Sequence, residues 1–424
     1  MRPHQKTFKL VFIFAIIAFN TKITSAIDPW PERSRMLSED YHHPAEDPFV
    51  STIHGTCYGP NISWRDLPVK AEDYKVRSKE MATSWMPVKL GLQRDHRGKI
   101  IKAPVIFVIP GAFNNLSHRQ PRALMYQFSR LGYHVAVFPN PWGTEYISQN
   151  PARPTGSFLA EGNAIYQAIR EVHAVFKKDN IIERDLTRVY GVSYGGFVAA
   201  MVAGLDSESE NPVITMDTTS VSPPFHIGKT LLRLDELLEE SSAYLGLDYY
   251  RLFKRLKDVC TLDLSRPADS RSLMHAKGLA ASRGFHSELA NSLEALERVK
   301  KWQTIPGRRL GWLSPSYRRW FRELNFSKYY QKYAPQAAVD AFTEQGNLYY
   351  WIDKAQKNGF KGARVLVAQD DFLNDYTWSA EVEERGPETI VLENGGHYGF
   401  RSLFWYRQFI NQTYFTELPA QLER

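Results

Sequence analysis

Three residues far apart in the chain have the types and settings needed for acyl transfer. Ser193 lies in Gly191-Val192-Ser193-Tyr194-Gly195, a G-x-S-x-G pattern. The pattern suits a serine on a tight strand-to-helix turn, where the residues two before and two after must be small because backbones crowd there. His397 follows Gly395-Gly396, two residues that let a histidine loop approach a neighbour closely. Asp371 lies in Gln369-Asp370-Asp371-Phe372. A serine hydroxyl is a poor nucleophile at neutral pH and needs an adjacent base. His397 would take its proton and pass it to the leaving group, and Asp371 would hold the imidazole tautomer and stabilise its charged form. The negative charge that develops on the attacked carbonyl calls for two N–H donors. The expected ones are the backbone amides of Tyr194 and of Ala112, in Pro110-Gly111-Ala112-Phe113. Asp371 is preferred to its neighbours Asp370 and Asp375 because Ala368-x-x-Asp371 places it on the loop, and Asp217 is the next candidate.

These residues need strands to carry them to one edge. Val105-Ile106-Phe107-Val108-Ile109 is a continuous apolar run, as in a central parallel strand covered on both faces. Further strands are expected at Tyr74 to Gln93 (paired), His134 to Phe138, Thr187 to Tyr190, Val213 to Met216, Arg364 to Ala368 and Thr389 to Leu392. Helical periodicity lies between them: Ile165, Ile169, Val172 and Phe176 mark one face. Strands alternating with helices predict an α/β fold with a mostly parallel sheet, whose strands all present their C-terminal ends on one edge. Ser193, Asp371 and His397 each follow such an end, in the chain order Ser…Asp…His of α/β-hydrolases.

The other segments divide the chain. Arg2, Lys6 and Lys9 precede the apolar run Leu10 to Phe19, and Thr24-Ser25-Ala26 offers a small-x-small cleavage site. Residues 1–26 therefore read as a secretory signal and the mature chain as exported, periplasmic or secreted, with an uncleaved membrane anchor as the alternative. Removing the segment takes the net charge from +7 to +3, too mild for a nucleic-acid partner. Residues 27–84 read as an extended N-terminal segment without periodicity, in which His42-His43 is an exposed pair. Residues 85–225 and 346–424 form the two parts of the core, and 226–345 an inserted helical cap. The cap's aromatic and basic residues, among them Trp312, Tyr317, Arg318, Trp320, Tyr329 and Tyr330, admit a lipid-facing surface with peripheral membrane contact. The plainer reading, a helical core with solvated arginines, is preferred. Cys57 and Cys260 form either one disulfide or two separate thiols, and their spacing fits no metal site.

With these residues in place, the chain resembles the α/β-hydrolase superfamily over about 85–225 and 346–410. Asp-Asp-Phe at 370–372 and Gly-Gly-His-Tyr-Gly-Phe at 395–400 are similar to segments of the YheT-like, embryogenesis-associated branch. The chain departs from that branch at Pro110, where many members have histidine, at Phe372, where they have proline, and in its long cap. The resulting expectation is an α/β-hydrolase fold and an exported serine hydrolase that cleaves small-molecule or lipid-like carboxylic esters without metal or cofactor. A peptidase or thioesterase would use the same three residues, and a binding protein on a hydrolase scaffold is the rival from another class.

Overall fold

Every residue of Ala103–Ile109 is apolar and buried. Successive side chains of a strand point to opposite faces. Val105, Phe107 and Ile109 accordingly enter one hydrophobic cluster, and Ile106 and Val108 the other. This strand lies in the middle of a sheet packed on both sides. The computed structural model describes residues 30–415, apart from 113, 151–152, 154, 246–257, 265, 283–288, 290–292, 295–296, 298–304, 308, 310–312 and 375–376. The secretory segment, Asp375 and Trp312 lie outside the described residues.

The strands are β1 (Ala71–Arg77), β2 (Trp85–Gly91), β3 (Ala103–Ile109), β4 (His134–Val137), β5 (Ile182–Val192), β6 (Thr218–Val221), β7 (Ala363–Ala368) and β8 (Thr389–Leu392). They form an eight-stranded sheet in the order β1-β2-β4-β3-β5-β6-β7-β8. β1 and β2 are antiparallel to their neighbours, and β3 to β8 run parallel. The main helices are α1 (Glu32–Glu39), α2 (Pro48–Tyr58), α3 (Arg119–Arg130), α4 (Phe158–Lys178), α5 (Tyr194–Asp206), α6 (Ile227–Leu245), α7 (Ser270–Ser282), α8 (Pro315–Glu323), α9 (Phe326–Tyr333), α10 (Leu348–Lys357) and α11 (Phe404–Phe415). Side chains of α4, α5 and α10 share one cluster, and those of α3 and α11 the other. This is the α/β-hydrolase architecture, with α6 to α9 inserted between β6 and β7. Tyr317, Tyr329 and Tyr330 of the insertion are buried, as the helical-core reading requires.

Three expectations need correction. The segment 27–84 is not extended throughout its described residues: α1 and α2 lie there, and α2 opens on Asp47-Pro48, whose Asp47 carboxylate caps the Phe49 and Val50 N–H groups at 3.0 and 2.9 Å. His43 is not exposed but buried, its Nδ1 accepting the Ala45 N–H at 3.0 Å. Burial lowers its pKa to about 4. The strand expected at Val213 to Met216 lies instead at Thr218–Val221. Val213 and Ile214 precede it in a loop, where their N–H groups bond to the Asp206 carboxylate. The strand itself is polar in composition, yet buried, and two of its three hydroxyls find partners: Ser220 Oγ donates to the Gly196 carbonyl at 2.7 Å and Thr219 pairs with the Tyr414 hydroxyl at 2.7 Å.

Cys57, at the end of α2, is bonded to Cys260 across 203 residues, so of the two readings for this pair the disulfide is the one observed. A crosslink closing so long a loop should stabilise the fold by about 2–4 kcal/mol. Reduction with dithiothreitol, or Cys57→Ser, is therefore expected to lower the urea midpoint, and an unchanged midpoint would refute this.

Candidate active site

The turn after β5 puts Ser193 at φ +55°, ψ −129°, an unusual conformation for a side chain other than glycine. Backbone bonds hold it there. Ser193 N–H donates to the Val221 carbonyl at 2.8 Å, and Gly196 N–H to the Ser193 carbonyl at 2.7 Å. The flanking glycines are required by space: a Cβ on Gly191 would stand 2.1 Å from the Gly195 oxygen, and one on Gly195 would stand 2.2 Å from the Ile109 oxygen.

The loops after β7 and β8 bring the expected partners to this turn. His397 Nε2 lies 2.8 Å from Ser193 Oγ, and His397 Nδ1 lies 3.0 and 3.2 Å from the Asp371 carboxylate oxygens. Asp371 is buried and also accepts the Leu373 N–H at 3.0 Å. A chain of this kind can move a proton from hydroxyl to imidazole while the carboxylate stabilises the imidazolium. Asp370 turns to the loop instead, accepting the Gly396 N–H at 2.8 Å. Burial pushes its carboxyl up to about 6. Asp217 is corrected as a candidate acid. It precedes β6 rather than following a strand, so it sits at the opposite edge of the sheet, where it pairs with the buried Arg188 and Arg364.

The loop after β3 lies against the serine; a Cβ on Gly111 would stand 3.2 Å from Ser193 Cβ. Side chains fix three of its polar groups. Asn140 Nδ2 donates to the Pro110 carbonyl at 2.6 Å, Gln120 Oε1 accepts the Gly111 N–H at 2.8 Å, and Asn114 Nδ2 donates to the Gly111 carbonyl at 3.1 Å. Among the described residues, the Ala112 and Tyr194 amides take no partner. The sequence reading missed these polar supports, which carry no local signature. It also missed α2, for which Asp47-Pro48 was an available signal. Thr52 of α2 accepts the His397 N–H at 2.8 Å, and a Cβ on Gly396, at φ +56°, would stand 2.1 Å from the Pro48 oxygen.

Beneath Tyr194 lies another missed residue. Glu161 of α4 is buried, accepts the Tyr194 hydroxyl and takes the Gly156 N–H at 2.5 Å. Burial pushes its carboxyl from 4.5 up to about 7, against the pull of the two donors. In that interval the unfolded chain has lost a proton that the folded chain keeps. The associated stability is full below about 4.5 and lost as pH rises to about 7. Glu161→Gln, which cannot ionise, should therefore gain on wild type by roughly 3 kcal/mol between pH 4.5 and 7.5. Urea midpoints at the two pH values check this; a pH-independent difference would refute it.

A cavity of about 670 Å³ opens beside Ser193 and His397. Ile53, Leu279, Phe372 and Leu373 give it an apolar wall, and Gly111 and Ala112 line it near the serine.

Comparison with protein-family models gives no match, and comparison with curated proteins gives none. Solved structures similar to the chain include esterases, a serine hydrolase and an acylaminoacyl peptidase. A hyperthermophilic esterase from the archaeon Pyrobaculum calidifontis is 12% identical over 97% of each chain, with a TM-score of 0.42. A fungal esterase from Rhizomucor miehei is 12% identical over 88% of this chain and 97% of its own, with a TM-score of 0.46. The fluorophosphonate-binding serine hydrolase F of Staphylococcus aureus is 13% identical over 82% of this chain and 99% of its own, with a TM-score of 0.39.

Proposed function

We propose that the chain is an exported serine hydrolase that cleaves carboxylic esters through an acyl-enzyme. The observation that carries this reading is the continuous contact from Ser193 Oγ to His397 Nε2 at 2.8 Å and from His397 Nδ1 to Asp371 at 3.0 Å. Ser193 Oγ attacks the ester carbonyl as His397 Nε2 takes its proton. The carbonyl oxygen gains the negative charge, which the Ala112 and Tyr194 amides receive. When the tetrahedral carbon collapses, His397 gives the proton to the departing alkoxide, leaving the acyl group on Ser193. Water then enters. His397 takes its proton, the hydroxide adds to the acyl carbon, and the carboxylic acid leaves as the proton returns to Ser193. Asp371 keeps the Nδ1–H tautomer throughout. The disulfide supports residence in an oxidising compartment outside the cytosol.

The test is a fluorophosphonate probe on the wild-type protein, with the adduct mapped by peptide mass and hydrolysis of p-nitrophenyl acetate followed in parallel. One adduct on Ser193, with loss of hydrolysis in step, is expected. Folded protein that neither labels nor hydrolyses the ester would sink the proposal.

A further inference from the structure

The lining of the cavity beside Ser193 is partly apolar and partly basic. Arg119, Arg122, Arg401 and Arg407 all line it, and the described lining residues include no aspartate or glutamate. Two of these arginines come from α3 and two from the segment after His397, so separate parts of the chain converge here. Arg119 Nη2 donates to the Gly59 carbonyl at 2.8 Å, and a Cβ on Gly59 would stand 3.3 Å from Arg401 Nε, so both guanidiniums gather at one point of the wall. Arg401 Nε is itself held by the Gly55 carbonyl at 2.8 Å. Arg122 lies over the Trp64 ring at 5.8 Å, and its Nε is buried without a hydrogen-bond partner. Arg407 lies over the Phe404 ring at 5.7 Å.

No carboxylate among the described residues lies within ion-pair reach of Arg119, Arg122 or Arg407. The nearby Glu145 is committed to the Leu116 N–H at 2.5 Å and faces His118. Asp371 lies behind His397 and is bonded to it. The first turn of α3 also carries no acidic residue. Like charges brought together in a concave, partly apolar wall repel one another and focus a positive field into the space they enclose. Guanidinium forks are suited to carboxylate and phosphate oxygens, which they can bind bidentately.

We infer that the substrate is an ester bearing an anionic group, a carboxylate or a phosphate, at the end remote from the scissile carbonyl, with Arg119 and Arg122 as the main holders of that group. This rests on the esterase reading for what happens at Ser193, but the anion preference can be measured without turnover.

The experiment uses calorimetry on Ser193→Ala protein, which leaves the ester intact. The probes are the monomethyl esters of succinate, adipate and suberate with their neutral dimethyl diesters, and methyl 6-phosphonohexanoate with its neutral P-dimethyl ester. At least one anionic member is expected to bind ten-fold or more tightly than its neutral counterpart, with the preference shrinking between 50 and 500 mM salt. The carboxylate and phosphonate arms report which oxyanion the forks prefer. Adding Arg119→Gln and Arg122→Gln should bring the ratio of anionic to neutral affinity towards one. Should that variant not fold, the ratio and its salt dependence in the Ser193→Ala parent decide alone. Equal binding, preference for the neutral diester, or no binding by any probe would overturn the inference. Labelling of wild type at Ser193 without an anion preference removes this inference and leaves the esterase reading. An anion preference without labelling keeps the anion-binding wall and removes both the esterase reading and the claim that the bound molecule is a substrate.

Discussion

Ser193→Ala and His397→Ala should each lower kcat on an activated ester by about 10⁴- to 10⁶-fold, and the double variant should lose no more than the worse single one. The two residues act through one proton. Without His397 the hydroxyl 2.8 Å away keeps its hydrogen and scarcely attacks. Without Ser193 the imidazole has no protein nucleophile to activate. The second removal thus takes away something the first has already disabled. Residual turnover would come from the Ala112 and Tyr194 amides and from binding, so KM should change far less than kcat. Steady-state kinetics with p-nitrophenyl butyrate, alongside circular dichroism to verify folding, measures this. Losses that multiply in the double variant would mean that serine and histidine act independently, and the proposed proton path would fail.

Asp217→Asn should cost about 3–5 kcal/mol of folding stability. Asp217 is only 1% exposed and is ion-paired to Arg188, which is 2% exposed, and to Arg364 at 3.5 Å. Neutralising it leaves two guanidiniums in the low-dielectric layer beneath the sheet. The Tyr414 ring beside Arg188 and the Trp30 ring beside Arg364, at 5.1 and 5.2 Å, offset only part of that cost. Urea denaturation reads the loss, and a change below about 1 kcal/mol would refute it. Two buried aspartates on opposite edges of one sheet should thus behave differently: Asp217 affects stability, while Asp371 affects turnover.

How far the sequence revealed the structure depends on the kind of signal involved. β3 was legible because its unbroken apolar run has no other stable place than between two layers. The turn at Ser193 was legible because Gly191 and Gly195 answer a steric demand that is nearly local. Asp371 and His397 were legible because chain order and strand ends suffice to place them. β6 was displaced because Val213 to Met216 matches strand composition better than Thr218–Val221, whose burial depends on hydroxyl partners as distant as Tyr414. Distance likewise hid Thr52, 345 residues from His397, while Glu161 and Gln120 have nearer partners, Tyr194 and Gly111. Each is an ordinary polar residue on a helix until the fold sets its partner against it. His43 was misplaced because adjacent histidines suggest exposure, and only the fold buries this one.

Helix α1 packs on α11, and α2 on the histidine loop. Ser34 meets Thr413 at 2.6 Å, Trp405 Nε1 donates to the Leu37 carbonyl at 2.7 Å, and Thr52 holds His397. Among the described residues, α1 and α2 therefore lean on α11 and on the histidine loop. A nascent chain halted before residue 397 can have the serine turn, yet it lacks both the imidazole and the neighbour that α2 is shaped to meet. On the proposed reading, a fragment that lacks either α2 or the histidine loop would hold an unactivated serine.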